Sequence, residues 1–214
     1  MRTYFFISLL AMLASSECRA QDLHLSNLEV GKRETYYIRK GDSSMKLTID
    51  TLIMHKGAKI IAAGKKEVVL TVGAAYIDSR STLSGDDGRG NGTNFDLRIN
   101  FKQLKSLYIN TQGKNFREGN RSNIIGHGGN VTIHYLNTGI KPQTGSSSSP
   151  AYIAVSAEGG KGSVSPYTDM EIIRSQIRSG SAPGRPLGGL PNGTVYQGSD
   201  GNSGKVSLQG VEHL

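Results

Sequence analysis

Between Leu47 and Gly113 the chain repeats one pattern three times: residues 47–62 (LTIDTLIMHKGAKIIA), 69–85 (VLTVGAAYIDSRSTLSG) and 97–113 (LRINFKQLKSLYINTQG). Each passage holds an apolar-polar-apolar triplet, a second apolar cluster a few residues on, and then Gly or Ser. Strand side chains alternate between faces, so the outer residues of 47–49 (LTI), 70–72 (LTV) and 97–99 (LRI) share one face and the middle residue takes the other. Residues 131–133 (VTI) repeat the triplet, with Tyr135 continuing its inward face. Residues 152–155 (YIAV) are a looser copy, and 206–208 (VSL) are the last. Leu47 to Leu70 is 23 residues, Leu70 to Leu97 is 27, Leu97 to Val131 is 34 and Val131 to Ile153 is 22. A period in the low twenties, stretched by insertions, fits the coils of a β-solenoid, in which each coil buries its inward side chains against its neighbours. The expected core is Leu47, Ile49, Leu70, Val72, Leu97, Ile99, Val131 and Ile133.

The insertions are rich in glycine: 85–94 (GDDGRGNGTN), 126–130 (GHGGN), 159–163 (GGKGS) and 198–205 (GSDGNSGK). Gly is 28 of 214 residues, roughly twice the usual ~7%. Beside strands it supplies positive-φ corners and close backbone approach. Residues 145–150 (GSSSSP) read as a flexible loop. From Gly180 to Gly204 apolar residues are few and Gly and Pro many, so an extended, thinly packed segment is expected. The three-residue glycine spacing at 198–204 is too short a run to read as collagen or a polyglycine helix. A helix is hard to find. Residues 170–179 (MEIIRSQIRS) fit a helical stripe or a strand, and the β surroundings favour the strand.

Residues 1–20 carry Arg2, an apolar run from Tyr4 to Ala14 and a polar end at Cys18-Arg19-Ala20. This is the pattern of a secretory signal cut before Gln21. The run is too short to span a bilayer, which takes ~20 apolar residues. Glu17 directly before Cys18 argues against lipidation there. Cys18 is the only cysteine, so the mature chain is expected to have no disulfide and no thiol chemistry. Removing Arg2, Arg19 and Glu17 takes 25 basic and 17 acidic residues to 23 and 16, a mature charge of about +7. The expected division is a signal peptide at 1–20, lead-in strands and an amino-terminal cap at 21–46, the solenoid at 47–179, and a Gly/Pro-rich extended segment with a terminal strand at 180–214. The expected location is secreted: extracellular, or periplasmic in a Gram-negative source.

With residues 75–85 (AYIDSRSTLSG) and 128–133 (GGNVTI), the coils resemble secreted right-handed parallel β-helix proteins of the pectate-lyase-like type. The resemblance covers Leu47 to Val155. It implies an all-β, right-handed parallel β-helix with Gly-rich loop insertions and little or no helix beyond the signal peptide. Such rungs serve adhesins, polysaccharide-active enzymes and phage tail proteins alike, and no family's catalytic motif is matched here.

No catalytic set emerges from the residues themselves. The Gly41-Asp42-Ser43 turn lacks the glycine that would follow in a chymotrypsin-like nucleophile motif. Gly201-Asn202-Ser203-Gly204 is followed by Lys205-Val206 instead of Gly-Pro, and it fails the spacing of a phosphate loop. The histidines at 24, 55, 127, 134 and 213 show no metal-ligand spacing beyond His127 and His134, and His134 should point outward. Asp78, Asp86 and Asp87 are the densest carboxylates. Asp86, Asp87 and Asn91 could offer hard oxygens to Ca²⁺, the one cofactor the sequence suggests, although the EF-hand spacing is absent and the plainer reading is a solvated turn. Four glycosylation sequons start at Asn91, Asn120, Asn130 and Asn192.

The strongest charge run is Arg98, Lys102, Lys105, Lys114, Arg117 and Arg121 against Glu118, with Tyr108 and Phe116 interleaved. If these share a surface they could hold an anionic glycan by charge and stacking. The plainer reading is a solvated outer face. Export favours a glycan over nucleic acid, and no nucleic-acid partner is expected. The function expected from sequence is therefore an exported, non-enzymatic binding or structural protein contacting anionic polysaccharide or another cell-surface component. The alternatives are a polysaccharide lyase or hydrolase on a β-helix, and a self-associating filament or matrix subunit, because an open solenoid end can template another chain.

Overall fold

The computed structural model describes residues 21–38, 43–116, 124–161 and 200–213. The leader at 1–20, the strand expected at 170–179, Arg117 and Arg121 lie outside them. The described residues hold thirteen strands and no helix: β1 Gln21–Val30, β2 Thr35–Ile38, β3 Ser44–Met54, β4 Lys59–Ala63, β5 Glu67–Ile77, β6 Ser81–Asp86, β7 Asn94–Leu104, β8 Ser106–Asn110, β9 Asn115–Phe116, β10 Ile124–Ile125, β11 Val131–Leu136, β12 Tyr152–Ser156 and β13 Val206–Val211.

Two parallel sheets face each other across one core. The first runs β1-β3-β5-β7-β11-β13 and the second β12-β8-β6-β4-β2, with β9 and β10 a separate antiparallel pair. The chain passes from a strand of the first sheet to one of the second and back, stacking each pass on the last. This is a parallel β-solenoid. Each repeated passage contributes one strand to each sheet: β3 and β4, β5 and β6, β7 and β8. β1 and β2, expected as lead-in strands and cap, are the first members of the two sheets, with Leu23 opposite Leu47 and Thr35 opposite Lys59.

The eight expected core residues lie inside, each 3% exposed or less. Leu47, Leu70 and Leu97 stand in register, as do Ile49, Val72 and Ile99. Burying such a side chain stabilises by about 1.5–3 kcal/mol each, and the column continues unbroken from rung to rung. Two register details differ from the sequence reading. Leu97 stands opposite Ile133, with Val131 opposite Phe95. The slip is two residues, so every side chain keeps its face. Ile153 belongs to the second sheet, opposite Leu107, so it does not continue the column of Val131. The long insertions between these strands hide the register.

A double irregularity interrupts β7. Val72 pairs with Ile99, Ala75 with Phe101 and Tyr76 with Gln103. Gly73 and Ala74 thus face Asn100 alone, and Lys102 is the extra residue of the next step, a β-bulge. Asn100 and Phe101 are consequently both buried, while Lys102 and Gln103 are both exposed.

The two corners of the coil are built differently. The corner from first to second sheet is short in the early rungs, at 55–58 and 78–80. The return corner between β4 and β5 is short, at 64–66. From β6 onward it opens into five stretches, 90–93, 111–114, 126–130, 157–161 and 200–205, that are neither helix nor regular strand. Residues 126–130 bond to all four of the others. Gly126 N–H donates to Lys114 O (3.0 Å), Gly129 N–H to Thr111 O (2.8 Å) and Gly128 N–H to Asn202 O (2.9 Å). In turn Gly92 N–H donates to His127 O (2.8 Å) and Gly160 N–H to Gly126 O (2.8 Å). The spacing of three between Gly126 and Gly129, and between Gly201 and Gly204, matches the three residues per turn of a polyproline-II helix. A Cβ on Gly126 would fall inside the Gly90 carbonyl oxygen, and one on Gly128 inside that of Ala157. Glycine is required here by close backbone approach rather than by φ.

Candidate functional site: a basic corner of the solenoid

The corner from first to second sheet stacks its residues as the strands do. Thr35, Lys59, Thr82 and Tyr108 are in register along the second sheet. Two residues before the first three stand Arg33, Gly57 and Arg80. All three have left-handed backbones, with φ of 61°, 75° and 61°. The corner therefore calls for this conformation at this position in successive rungs. Glycine adopts it freely, as Gly57 does. For an L-residue with a long side chain it costs roughly 1–2 kcal/mol, and arginine takes it twice. The Cγ of Arg33 lies 3.4 Å from where a Cβ on Gly57 would be, so its side chain lies over the next rung.

The rungs of this corner are tied by their backbones. Arg33 N–H donates to Lys56 O (3.2 Å), Gly57 N–H to Ser79 O (3.0 Å) and Lys105 N–H to Ile77 O (2.9 Å). Arg80 N–H donates to Ser106 Oγ (2.7 Å). Lys32, Arg33, Lys56, Arg80 and Lys105 are all exposed along this edge. With adjacent strands ~4.8 Å apart, Arg33 and Lys105 are three steps, about 14 Å, apart along the solenoid axis.

Few acids oppose this ridge. Glu34 accepts the Gly31 N–H through Oε2 (3.1 Å). Glu29 pairs with His55 at 2.7 Å. Asp78 Oδ1 lies 2.9 Å from Lys105 Nζ and accepts the Ser79 N–H at 2.6 Å. The Lys105 hydrogen bond, with the Ser79 N–H second, holds the Asp78 carboxyl below its usual range. Among the described residues, Lys32, Arg33, Lys56 and Arg80 have no carboxylate within ion-pairing distance.

The charge run expected from sequence is spread over several faces. Arg98 points outward from the first sheet and bonds Asp96 Oδ2 at 3.2 Å. Lys102 sits on the bulge of β7. Lys105 is on the corner. Lys114 is exposed in the glycine-rich bundle, on the return corner. Tyr108 points outward from the second sheet and packs edge-on against Tyr152, with ring centroids 6.0 Å apart. Of the expected residues, the structure brings Lys105 and Tyr108 close to the ridge, three residues apart across the corner. Lys32, Arg33, Lys56 and Arg80 were missed. Their signal was present as basic residues one coil apart, just after each first-sheet strand, but it is visible only once the register is known.

The expected Ca²⁺ ligands serve the loop itself. Asp87 Oδ1 accepts the N–H groups of Arg89 (2.8 Å) and Asn91 (2.9 Å), and its Oδ2 accepts Asn91 Nδ2 (2.7 Å). Asp86 Oδ1 accepts the Gly88 N–H at 3.1 Å. Asn91 Oδ1 accepts the His127 N–H at 2.9 Å, locking the loop to the bundle. Among the described residues no three His, Cys, Asp or Glu side chains converge as metal ligands. Two sequon asparagines are also engaged in the bundle. Besides Asn91, Asn130 Oδ1 accepts the Lys205 N–H at 2.8 Å.

No protein-family model, no curated protein and no solved structure matches this chain.

Proposed function

We propose that this is an exported, non-catalytic binding protein that holds an anionic polysaccharide along the basic corner of its solenoid. The observation that carries the reading is the pair of left-handed arginines, Arg33 and Arg80, in equivalent corners on either side of Gly57. Backbone strain persists where something else requires it, and here it places two guanidinium groups on one edge with Lys56 and Lys105. Guanidinium groups fit carboxylate and sulfate in a two-pronged geometry, and a row of them adds its fields along a linear polymer. The signal-like leader puts such a polymer within reach outside the cell. Resemblance to pectate-lyase-like rungs points the same way, toward a polysaccharide partner.

Retention on heparin and polygalacturonate tests this reading. The mature protein is expected to bind both, to elute with salt, and to ignore neutral dextran. Salt-insensitive or absent binding would refute it, and sustained depolymerisation of polygalacturonate would replace it with the enzymatic reading. A second reading, self-association, has its own observation. Val206 on β13, the last strand of the first sheet, is 51% exposed. Sedimentation showing a concentration-independent monomer would remove it.

A further inference from the structure

A second site lies on the outer face of the first sheet, away from the corner. Arg98 on β7, His134 on β11 and Gln209 on β13 stand in register. Arg98, His134, Val211 and His213 line a cleft of about 190 Å³. Asp96 sits two residues before Arg98 on the same face. Its Oδ2 takes the Arg98 Nη2 at 3.2 Å. Its Oδ1 is sealed from solvent and accepts no hydrogen bond, and His134 Nε2 lies 3.9 Å from it.

The arrangement has a chemical direction. A guanidinium has five N–H donors, and the one bond given to Asp96 leaves the others available. A shielded carboxylate oxygen without a donor is costly, and His134, 3.9 Å away, can satisfy it by a small shift. Such a shift would hold its imidazole against the same carboxylate that holds Arg98. Val211 gives one apolar wall. The volume is below the ~300–1,000 Å³ of sites for larger ligands, which suits one charged unit rather than a chain. We propose that this cleft binds a single sugar unit bearing a carboxylate or sulfate. Its oxyanion would lie on Arg98, with His134 and His213 beside it and the ring against Val211. This inference does not rest on the corner site.

The test is a titration of the full mature protein with galacturonate at fixed pH, followed by the ring C–H signals of its histidines in NMR. His24 stands in the same outward column but is tied to Asp50 at 2.9 Å, so it serves as an internal reference. Saturable shifts are expected at His134 and His213, with none at His24. Arg98→Gln should weaken the titration at least tenfold with its melting temperature unchanged, since Arg98 is a surface side chain. Arg33→Gly/Arg80→Gly should leave it as in the parent. Equal shifts at all histidines, no saturation, or parent-like titration of Arg98→Gln would overturn the site. Galactose matching galacturonate would overturn the role of the anion, and inorganic sulfate matching it would overturn the role of the sugar.

Discussion

The stacked rungs and the glycine-rich bundle solve the same packing problem by opposite means. In the rungs the backbone bonds only to the strand on either side, and the interior is filled by side chains such as Leu47, Leu70 and Leu97. In the bundle the backbone is itself the filling. Residues 126–130 bond to four different stretches, and no Cβ fits where they approach. Both regions begin from the same event, the return from second sheet to first. At 64–66 that return is a tight corner, and after β6, β8 and β12 it is part of the bundle. A region packed by side chains responds most strongly to a change of polarity. A region packed by backbone tolerates neither a methyl group nor a change of spacing.

Substitutions can break this contrast. The largest effect is expected for Ile99→Asp, which puts an unpaired carboxylate in the centre of the rung column, where Ile99 is 2% exposed. Removing partners from buried charges costs about 3–5 kcal/mol, and this variant should lose at least that in a denaturant melt. A parent-like melt would mean that the register is wrong. Next comes Gly126→Ala. The added methyl meets backbone oxygens that cannot move aside, and overpacking of this kind costs roughly 1–3 kcal/mol. Gly145→Ala sharpens the comparison, because nothing lies within 4 Å of the new methyl. It should fall within about 0.5 kcal/mol of the parent. Equal melts for the two alanine variants would show that the bundle is not packed through its backbone.

The smallest effect expected is one of pH at the corner. Asp78 has its carboxyl held below the usual value by Lys105. A carboxylate with a lowered folded pKa adds stability that is complete above its unfolded value near 3.8. That stability is lost as pH falls through the folded pKa. The pair is exposed, so the contribution is small. Asp78→Asn should therefore melt slightly below the parent at neutral pH and converge with it in acid. A gap that widens in acid would contradict the pairing.

The rung architecture was legible from sequence because alternation and period are local properties. Ile49, Val72 and Ile99 announce their inward face within three residues of chain, and the second apolar clusters at Ile60, Leu83 and Leu107 became the second sheet. The pairing of Leu97 with Ile133 was not legible, because the chain between them passes through two bundle stretches and the β9–β10 pair. Arg98 and Lys102 are both exposed on β7, whereas Lys105 is the single corner residue between β7 and β8, so the three alternate only in part. The glycines of the insertions were read correctly as corners and close approaches, yet their spacing of three, noted at 198–204, becomes a bundle only when five separate stretches meet. The basic ridge was hidden for the same reason. Arg33, Lys56, Arg80 and Lys105 are far apart in sequence and adjacent only through stacking.

The direct measurement is of stability and polyanion affinity together in Arg33→Gly/Arg80→Gly. Glycine relieves the left-handed strain, roughly 1–2 kcal/mol per position, against ~0.4–1 kcal/mol of added unfolded-state entropy at each. The variant should therefore melt at or above the parent while its retention on heparin and polygalacturonate falls. The dependence of log affinity on log salt should flatten by about two charges' worth. A variant that melts as expected but binds as the parent does, with the same salt slope, would contradict the claim that this corner is the binding site.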